Sequence, residues 1–507
     1  MSRYLNPVSG RRISGAFLTV FLTATALPGA DEPPRSAWTA VQLKRAGGSA
    51  PVGATAKNII LFLGDGMNLS TVTAARILEG QERGEPGEEN FLSFEQLPYT
   101  AFSKTYAIDT QVNDSAGAMT AIVTGEKSNM GMLSMSPFAQ YGQWRTGPGN
   151  ELPTILEIAK SRGLSAGVVS TTRITHATPA ACYAHSVHRD WESDSILPAD
   201  AKAGGVRDIA RQLAEFSNGG GLEVALGGGR AYFLPKETAD PEYPNKTGNR
   251  ADKQDLTASW TQKGATWKYV WNKSQFDAID PAAADHLLGL FEPSHMQYEA
   301  DRANDGAGEP SLSQMTAKAI DILSKNHRGY FLMVEGGRID HAHHANNAYR
   351  ALTDTIEFAN AVSVAMRKAT PNDTLILVTA DHGHMLTISG YPVRGNPILG
   401  KVKERSYSGP NVTVDLAKDK SGLPYTTLLY GNGPGYKSPR TDLSSADTEG
   451  PNYVQESAIP LAEDTHSGED MPVYAGGAGS QNVRGVMEQN WLFDVMVKAL
   501  GVTMWYE

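Results

Sequence analysis

Four short apolar runs, each followed within a few residues by carboxylate, hydroxyl or imidazole side chains, constrain the fold of this chain more than any other feature. They are Ile59–Leu63, Ala166–Val169, Tyr330–Val334 and Thr374–Val378. Runs of this length, apolar on consecutive rather than alternate positions, read as strands buried on both faces. Between them lie segments with helical spacing: Leu152–Arg162, with Pro153 near its start and Gly163 after it, then Ser311–Asn326 and Asn346–Lys368. The alternation predicts an α/β fold, a doubly wound and mainly parallel central sheet with helices on both faces. Ligands bind such sheets beyond the carboxyl ends of the strands. Asp65 follows the first run, Thr171–His176 the second, Glu335 and Asp340 the third, and Asp381 with His382 the fourth, so the chemically competent residues are expected along one edge.

Of the 12 histidines, five (His341, His343, His344, His382 and His384) fall in two windows, Val334–His344 and Thr379–His384. A lone Asp-x-x-x-His is more often a solvated helix face than a metal site. Two such clusters, with Asp340 four residues before His344 and Asp381 beside His382, bring together the carboxylate and imidazole donors that suit Zn²⁺. A further signal is Asn113–Thr120, which puts Ser115 at the start of a short apolar helix ending near Gly125. Ser and Asp are ordinary N-caps. The same place also lends a hydroxyl the positive end of the helix dipole, which favours a nucleophile.

A formal net charge of −10 argues against general affinity for nucleic-acid backbones, so no nucleic-acid partner is expected, and an anionic substrate would need local positive charge. Arg11-Arg12, the apolar stretch Gly15–Leu27 and Pro28-Gly29-Ala30 have the anatomy of a signal peptide over residues 1–30, implying a secreted or periplasmic product. Residues 31–55 read as an N-terminal arm and 56–507 as the catalytic domain. No later stretch approaches the ~20 apolar residues of a spanning helix. Cys182, the one cysteine, excludes an intramolecular disulfide and reads as buried. Within the domain, 192–300 reads as an inserted segment packing a satellite subdomain, its Gly219–Gly221 and Gly227–Gly229 triplets as turns rather than phosphate loops, because no Lys-Ser/Thr follows. Residues 389–460, rich in Gly, Pro, Ser and Asn, read as a loop-rich insertion with little helix.

Seven motifs in order carry a resemblance: Asp65-Gly66-Met67, Asp114-Ser115-Ala116, Thr175–Pro179, His188–Trp191, Glu335–His341, Asp381-His382-Gly383 and Thr465–Glu469. Together they resemble the alkaline phosphatase family, over nearly the whole mature chain. The resemblance implies a metal-dependent phosphomonoesterase of broad specificity with two Zn²⁺, one Mg²⁺ and a phosphoserine intermediate. It implies Asp340, His344 and His466 for one zinc, Asp65, Asp381 and His382 for the other, and Asp65, Thr178 and Glu335 for magnesium. Ser115 would be the nucleophile and Arg189 the phosphate clamp, with Asp114, His176 and His341 acting beside them. His176 and His341, where some bacterial members have Asp and Lys, resemble the animal-type subgroup. That subgroup implies a Ca²⁺ site, with Glu242, Phe291, Glu292 and Glu309 as its candidate ligands here. A homodimer is implied, with 389–460 as a crown-like insertion, and the absence of an apolar tail after Met504 implies no lipid anchor. Two other readings stand beside this one: a diesterase or sulfatase of the same fold, and a metal- or phosphate-binding protein without catalysis. Sulfatases need a modified Cys or Ser in a different motif, diesterases commonly use Thr, and loss of catalysis would require a lost ligand or nucleophile.

Overall fold

The four apolar runs are inner strands of one sheet in the computed structural model, which describes residues 55–502. The segments read as a signal peptide and, but for its last residue, as an arm lie outside the described residues. Ten strands build the sheet: β1 (Asn58–Gly64), β2 (Tyr99–Lys104), β3 (Ser165–Arg173), β4 (Val224–Gly228), β5 (Trp267–Val270), β6 (His286–Leu290), β7 (Tyr330–Gly336), β8 (Thr374–Thr379), β9 (Met471–Gly477) and β10 (Gly485–Glu488). Their order in space is β10-β2-β9-β8-β1-β7-β3-β4-β6-β5. The pairings are parallel except for those of β9, which runs against β8 and β2.

Alternation along β1 shows why helices cover both faces. Ile59, Leu61 and Leu63 enter one buried cluster with Met119, Ile122, Leu156 and Phe493, whereas Ile60 and Phe62 enter another with Val72, Leu352 and Phe358. Both sets are fully buried, so a helix of each layer is held by roughly 1.5–3 kcal/mol per large apolar side chain. Local signals set the helix starts. Thr154 caps Ile155–Ser161 in a capping box with Glu157, Ser311 caps Leu312–Leu323 with Gln314, and the Asn347 side chain caps Ala348–Lys368.

The inserted segment 192–300 does more than pack a satellite: it supplies β4, β5 and β6 to the central sheet. Its loops are tied by ion clusters around two buried guanidinium groups, Arg230 with Asp240 and Glu242, and Arg250 with Asp208 and Asp252. Gly219–Gly221 all take positive φ, as a turn reading expects, whereas Gly227 and Gly228 end β4 and only Gly229, at φ 97°, turns the chain out of it. Residues 389–460 hold no α-helix but are partly strand-built. Leu386–Ile388, Leu428–Gly433 and Ser457–Pro460 form a three-stranded sheet, and Lys403–Ser408 with Asn411–Leu416 a separate hairpin. Among the described residues no helix is long and apolar enough to cross a membrane.

Gly329 admits β7 beside β1. Its φ of 112° is one that L side chains avoid, and an added Cβ would stand 2.0 Å from the Lys57 carbonyl oxygen. Gly329→Ala is therefore expected to cost about 2 kcal/mol or more, seen as a lower urea midpoint at unchanged slope.

Candidate active site

Asp65 leaves the end of β1 with both carboxylate oxygens buried and without a hydrogen-bond partner. Asp381, just beyond β8, accepts at Oδ1 from the Gly66 N–H at 3.2 Å and the His382 N–H at 2.9 Å, while its Oδ2 has no such partner. His382 Nε2 lies 3.4 Å from Asp65 Oδ1 and 3.3 Å from Asp381 Oδ2. One donor atom from each of the three falls within 4.8 Å of the others. Burial, reinforced by neighbouring carboxylates, pushes Asp65 well above the usual carboxylate range and Asp381 up to about 6. Burial likewise depresses His382. Orphaned anionic oxygens converging on a neutral imidazole are what a divalent cation satisfies.

A second group forms around Asp340 in the helix Arg338–His344. Its Oδ1 is 3.4 Å from both His344 Nε2 and His466 Nε2. Each ring commits its other nitrogen to a backbone carbonyl: His344 Nδ1 faces that of Asp464 at 2.6 Å, and His466 Nδ1 that of Asn113 at 2.9 Å. A carbonyl only accepts, so these contacts put the ring protons on Nδ1 and leave both Nε2 lone pairs facing inward, 3.3 Å apart. Two such lone pairs beside a carboxylate fit a cation. Burial opposes the Asp340 charge, but the imidazoles around it, His344 first and then His384 and His466, outweigh it and hold this carboxyl well below its usual range.

A third group joins Asp65, His176 and Glu335. Glu335 Oε2 accepts from the Ser170 and Thr172 hydroxyls, whereas its Oε1 and the Thr178 hydroxyl are buried without partners. Burial raises Glu335 to about 7. These are hard oxygen donors, suited to Mg²⁺.

Ser115 opens the helix Ser115–Thr124, capped by the Asp114 side chain on the Gly117 N–H and ended by Gly125 in the left-handed conformation. Its Oγ lies 3.3 Å from His382 Nε2. Arg189 donates through Nη1 to Asp114 Oδ2 at 2.9 Å, and its Nη2 lies 3.0 Å from His176 Nε2. Asp114 is itself fixed by the Gly117 and Gly131 N–H groups on Oδ1. His341 turns Nδ1 to the Gly337 carbonyl, its ring 5.7 Å from that of His176. Ser115, Asp114, Arg189, His176, Asp340 and His466 all line one cavity of about 1130 Å³.

Some contributors escape sequence reasoning. His384 Nε2 lies 2.7 Å from Asp340 Oδ1 while its Nδ1 lies 2.9 Å from Asp464 Oδ2, and the two carboxylates outweigh burial to lift this imidazole to about 9. The Thr379–His384 window contains His384 but gives no hint of its bridge, and Asp464 carries no signal beyond standing near Thr465-His466. His343, counted among the clustered imidazoles, instead packs between Thr71 and the Tyr430 hydroxyl.

Away from the cavity, Glu242 and Glu292 gather with Asp305, within 4.8 Å of one another. Asp305 is absent from the candidate set drawn from sequence. Glu309 stands beside this group rather than in it, accepting at Oε1 from the Gln297 N–H at 2.9 Å, with burial and nearby Glu292 raising it to about 9. The Phe291 carbonyl faces the Arg230 guanidinium at 3.1 Å. Both Asp305 oxygens and Glu309 Oε2 are buried without hydrogen-bond partners, which also suits a hard cation.

The alkaline phosphatase family model matches residues 56–502. The tissue-nonspecific alkaline phosphatase isozyme of Gallus gallus is 47% identical over 453 residues, covering 88% of this chain and 84% of that protein. An alkaline phosphatase of Gadus morhua is 44% identical over 452 residues, covering 88% and 91%. In fold, the chain is similar to the crystal structure of Thermus thermophilus alkaline phosphatase, with a TM-score of 0.63 at 24% identity over 93% of this chain and 96% of that one.

Proposed function

The chain belongs to the alkaline phosphatase family, and from that membership we propose that it hydrolyses a broad range of phosphate monoesters to an alcohol and inorganic phosphate through a phosphoserine on Ser115. The observation that carries this reading is the convergence of Ser115 Oγ, the Arg189 fork and the Asp340, His344 and His466 group on one cavity, with the buried Asp65, Asp381 and His382 group meeting Ser115 through His382.

Asp340, His344 and His466 would hold one Zn²⁺, Asp65, Asp381 and His382 a second, and Asp65, Thr178 and Glu335 a Mg²⁺. When bound, these cations would neutralise phosphoryl charge and acidify the Ser115 hydroxyl. The chain's own groups do the positioning. Arg189, held planar between Asp114 and His176, presents its free N–H groups to two phosphoryl oxygens, a bidentate grip that lysine cannot supply. The helix behind Ser115 adds its dipole to the nucleophile. Ser115 Oγ bonds to phosphorus as the bond to the alcohol oxygen breaks and the alcohol leaves protonated. Water then attacks the same phosphorus, returning the proton to Ser115 and releasing phosphate. Positioning and charge neutralisation are most of what phosphoryl transfer requires. Glu242, Glu292 and Asp305, with Glu309 beside them, would take a Ca²⁺.

The reading extends to a secreted or periplasmic homodimer. It is supported by the basic and apolar leader-like segment, and by the hairpin Lys403–Ser408/Asn411–Leu416, which exposes Tyr407, Val412 and Val414.

A chromogenic phosphomonoester assayed against a matched diester and sulfate ester tests the activity. Monoester preference by orders of magnitude is expected, and diester or sulfate preference would overturn the reading. Arg189→Ala should raise the phosphate inhibition constant at least about tenfold, since charge-assisted hydrogen bonds are worth about 1.5–3 kcal/mol each. Unchanged inhibition would remove Arg189 from the phosphate site.

A further inference from the structure

Arg338 opens the helix after β7 and lines the same cavity as Ser115, yet the chemistry above does not use its side chain. Its backbone N–H is anchored on Thr171 Oγ1 at 3.1 Å. The guanidinium carbon sits over the Tyr298 ring, 3.7 Å from its centroid, and Tyr298 lines the cavity too. Arg338 Nε is buried with no hydrogen-bond partner. Asp354 feels the charge, but no carboxylate closes to an ion pair among the described residues. Neighbouring arginines differ: Arg173 pairs with Glu192, Arg189 with Asp114, Arg302 with Glu299 and Arg350 with Asp301.

An oriented guanidinium without a counter-ion, in a cavity far larger than one phosphoryl group, is a site awaiting an anion. We propose that Arg338, held by Tyr298, forms a second anion subsite that binds an oxyanion carried by the leaving group, either a carboxylate or a second phosphoryl group. Contact with the Tyr298 ring restrains the guanidinium before the substrate arrives, so less side-chain freedom is lost on binding. The cavity wall also includes Asp109 and Glu463, which would repel such a substrate. Arg338 is the compensating charge. The inference rests on the phosphomonoesterase reading, which supplies the scissile phosphate at Ser115.

The test compares kcat/KM for phenyl phosphate, 4-carboxyphenyl phosphate and inorganic pyrophosphate in the full chain loaded with zinc and magnesium. Arg338→Gln is expected to lower kcat/KM at least about tenfold on one or both anionic substrates relative to phenyl phosphate, mainly through KM, with phosphate inhibition unchanged. Loss on 4-carboxyphenyl phosphate alone assigns the subsite to carboxylates, and loss on pyrophosphate alone to phosphoryl groups. Arg338→Lys should recover part of the loss, because charge remains while the fork is gone. Tyr298→Leu should show the same selectivity more weakly, which keeps the test available should Arg338→Gln not fold. Equal losses on all three substrates, or unchanged ratios, would overturn the subsite. Failure of the unmutated protein to hydrolyse phenyl phosphate would instead sink the phosphomonoesterase reading.

Discussion

Ser115→Ala is expected to lower kcat for phosphomonoesters by about 10⁴-fold or more, near 5 kcal/mol of transition-state stabilisation, and to abolish the phosphoenzyme trapped on acid quenching. The substitution is structurally mild. Ser115 is the first residue of its helix, the cap is made by Asp114, and the Ser115 hydroxyl has His382 Nε2, at 3.3 Å, as its hydrogen-bond contact. Alanine fits the helix at least as well as serine. Metal content and thermal midpoint should therefore hold while turnover collapses, and that pairing distinguishes a lost nucleophile from a damaged site. Full activity in Ser115→Ala would refute the assignment.

Metal removal should have the second largest effect, and it should act on stability as well as rate. Without cations, the buried carboxylates of Asp65, Asp381 and Glu335 face one another with several oxygens unpartnered, and the inward nitrogens of His344 and His466 oppose each other at 3.3 Å. A cation binding only the folded chain at a thousand times its Kd adds about 4 kcal/mol. Chelation should thus abolish activity and lower the thermal midpoint, zinc plus magnesium restoring both. Ser115→Ala should show the same chelator-dependent fall in midpoint although it cannot turn over. An unchanged midpoint on verified metal removal would mean that these groups are not the cation sites.

The inner sheet was legible because β1, β7 and β8 are buried on both faces, so Ile59–Leu63, Tyr330–Val334 and Thr374–Val378 are apolar throughout. The outer strands leave weaker traces. β2 alternates exposed and buried positions, β9 contains Pro472 and Gly476-Gly477, and β4 is only Val-Ala-Leu-Gly-Gly. Antiparallel β9 and the three strands within 192–300 therefore do not stand out as strands. In the site, residues in short windows after strands could be proposed from spacing, whereas His466 came only through the family resemblance; the structure brings it together with Asp340 and His344, as it does Asp65, Asp381 and His382. His384 and Asp464 escaped because their role depends on a contact between residues 80 apart in sequence. Asp305 escaped because an Asp-Gly pair in a polar loop looks like an ordinary turn.

The place of β9 bears on how the chain is made. It lies between β8 and β2, and its Met471 pairs with Ser103. During vectorial synthesis the edge of β8 emerges about a hundred residues, and that of β2 several hundred, before the strand that joins them, and His466, just ahead of β9, arrives equally late. A ribosome-bound chain can thus neither close its sheet nor complete the donor group around Asp340 until His466 and β9 have emerged. The interval leaves two open edges for chaperones to shield, and it ties completion of that donor group to closure of the sheet.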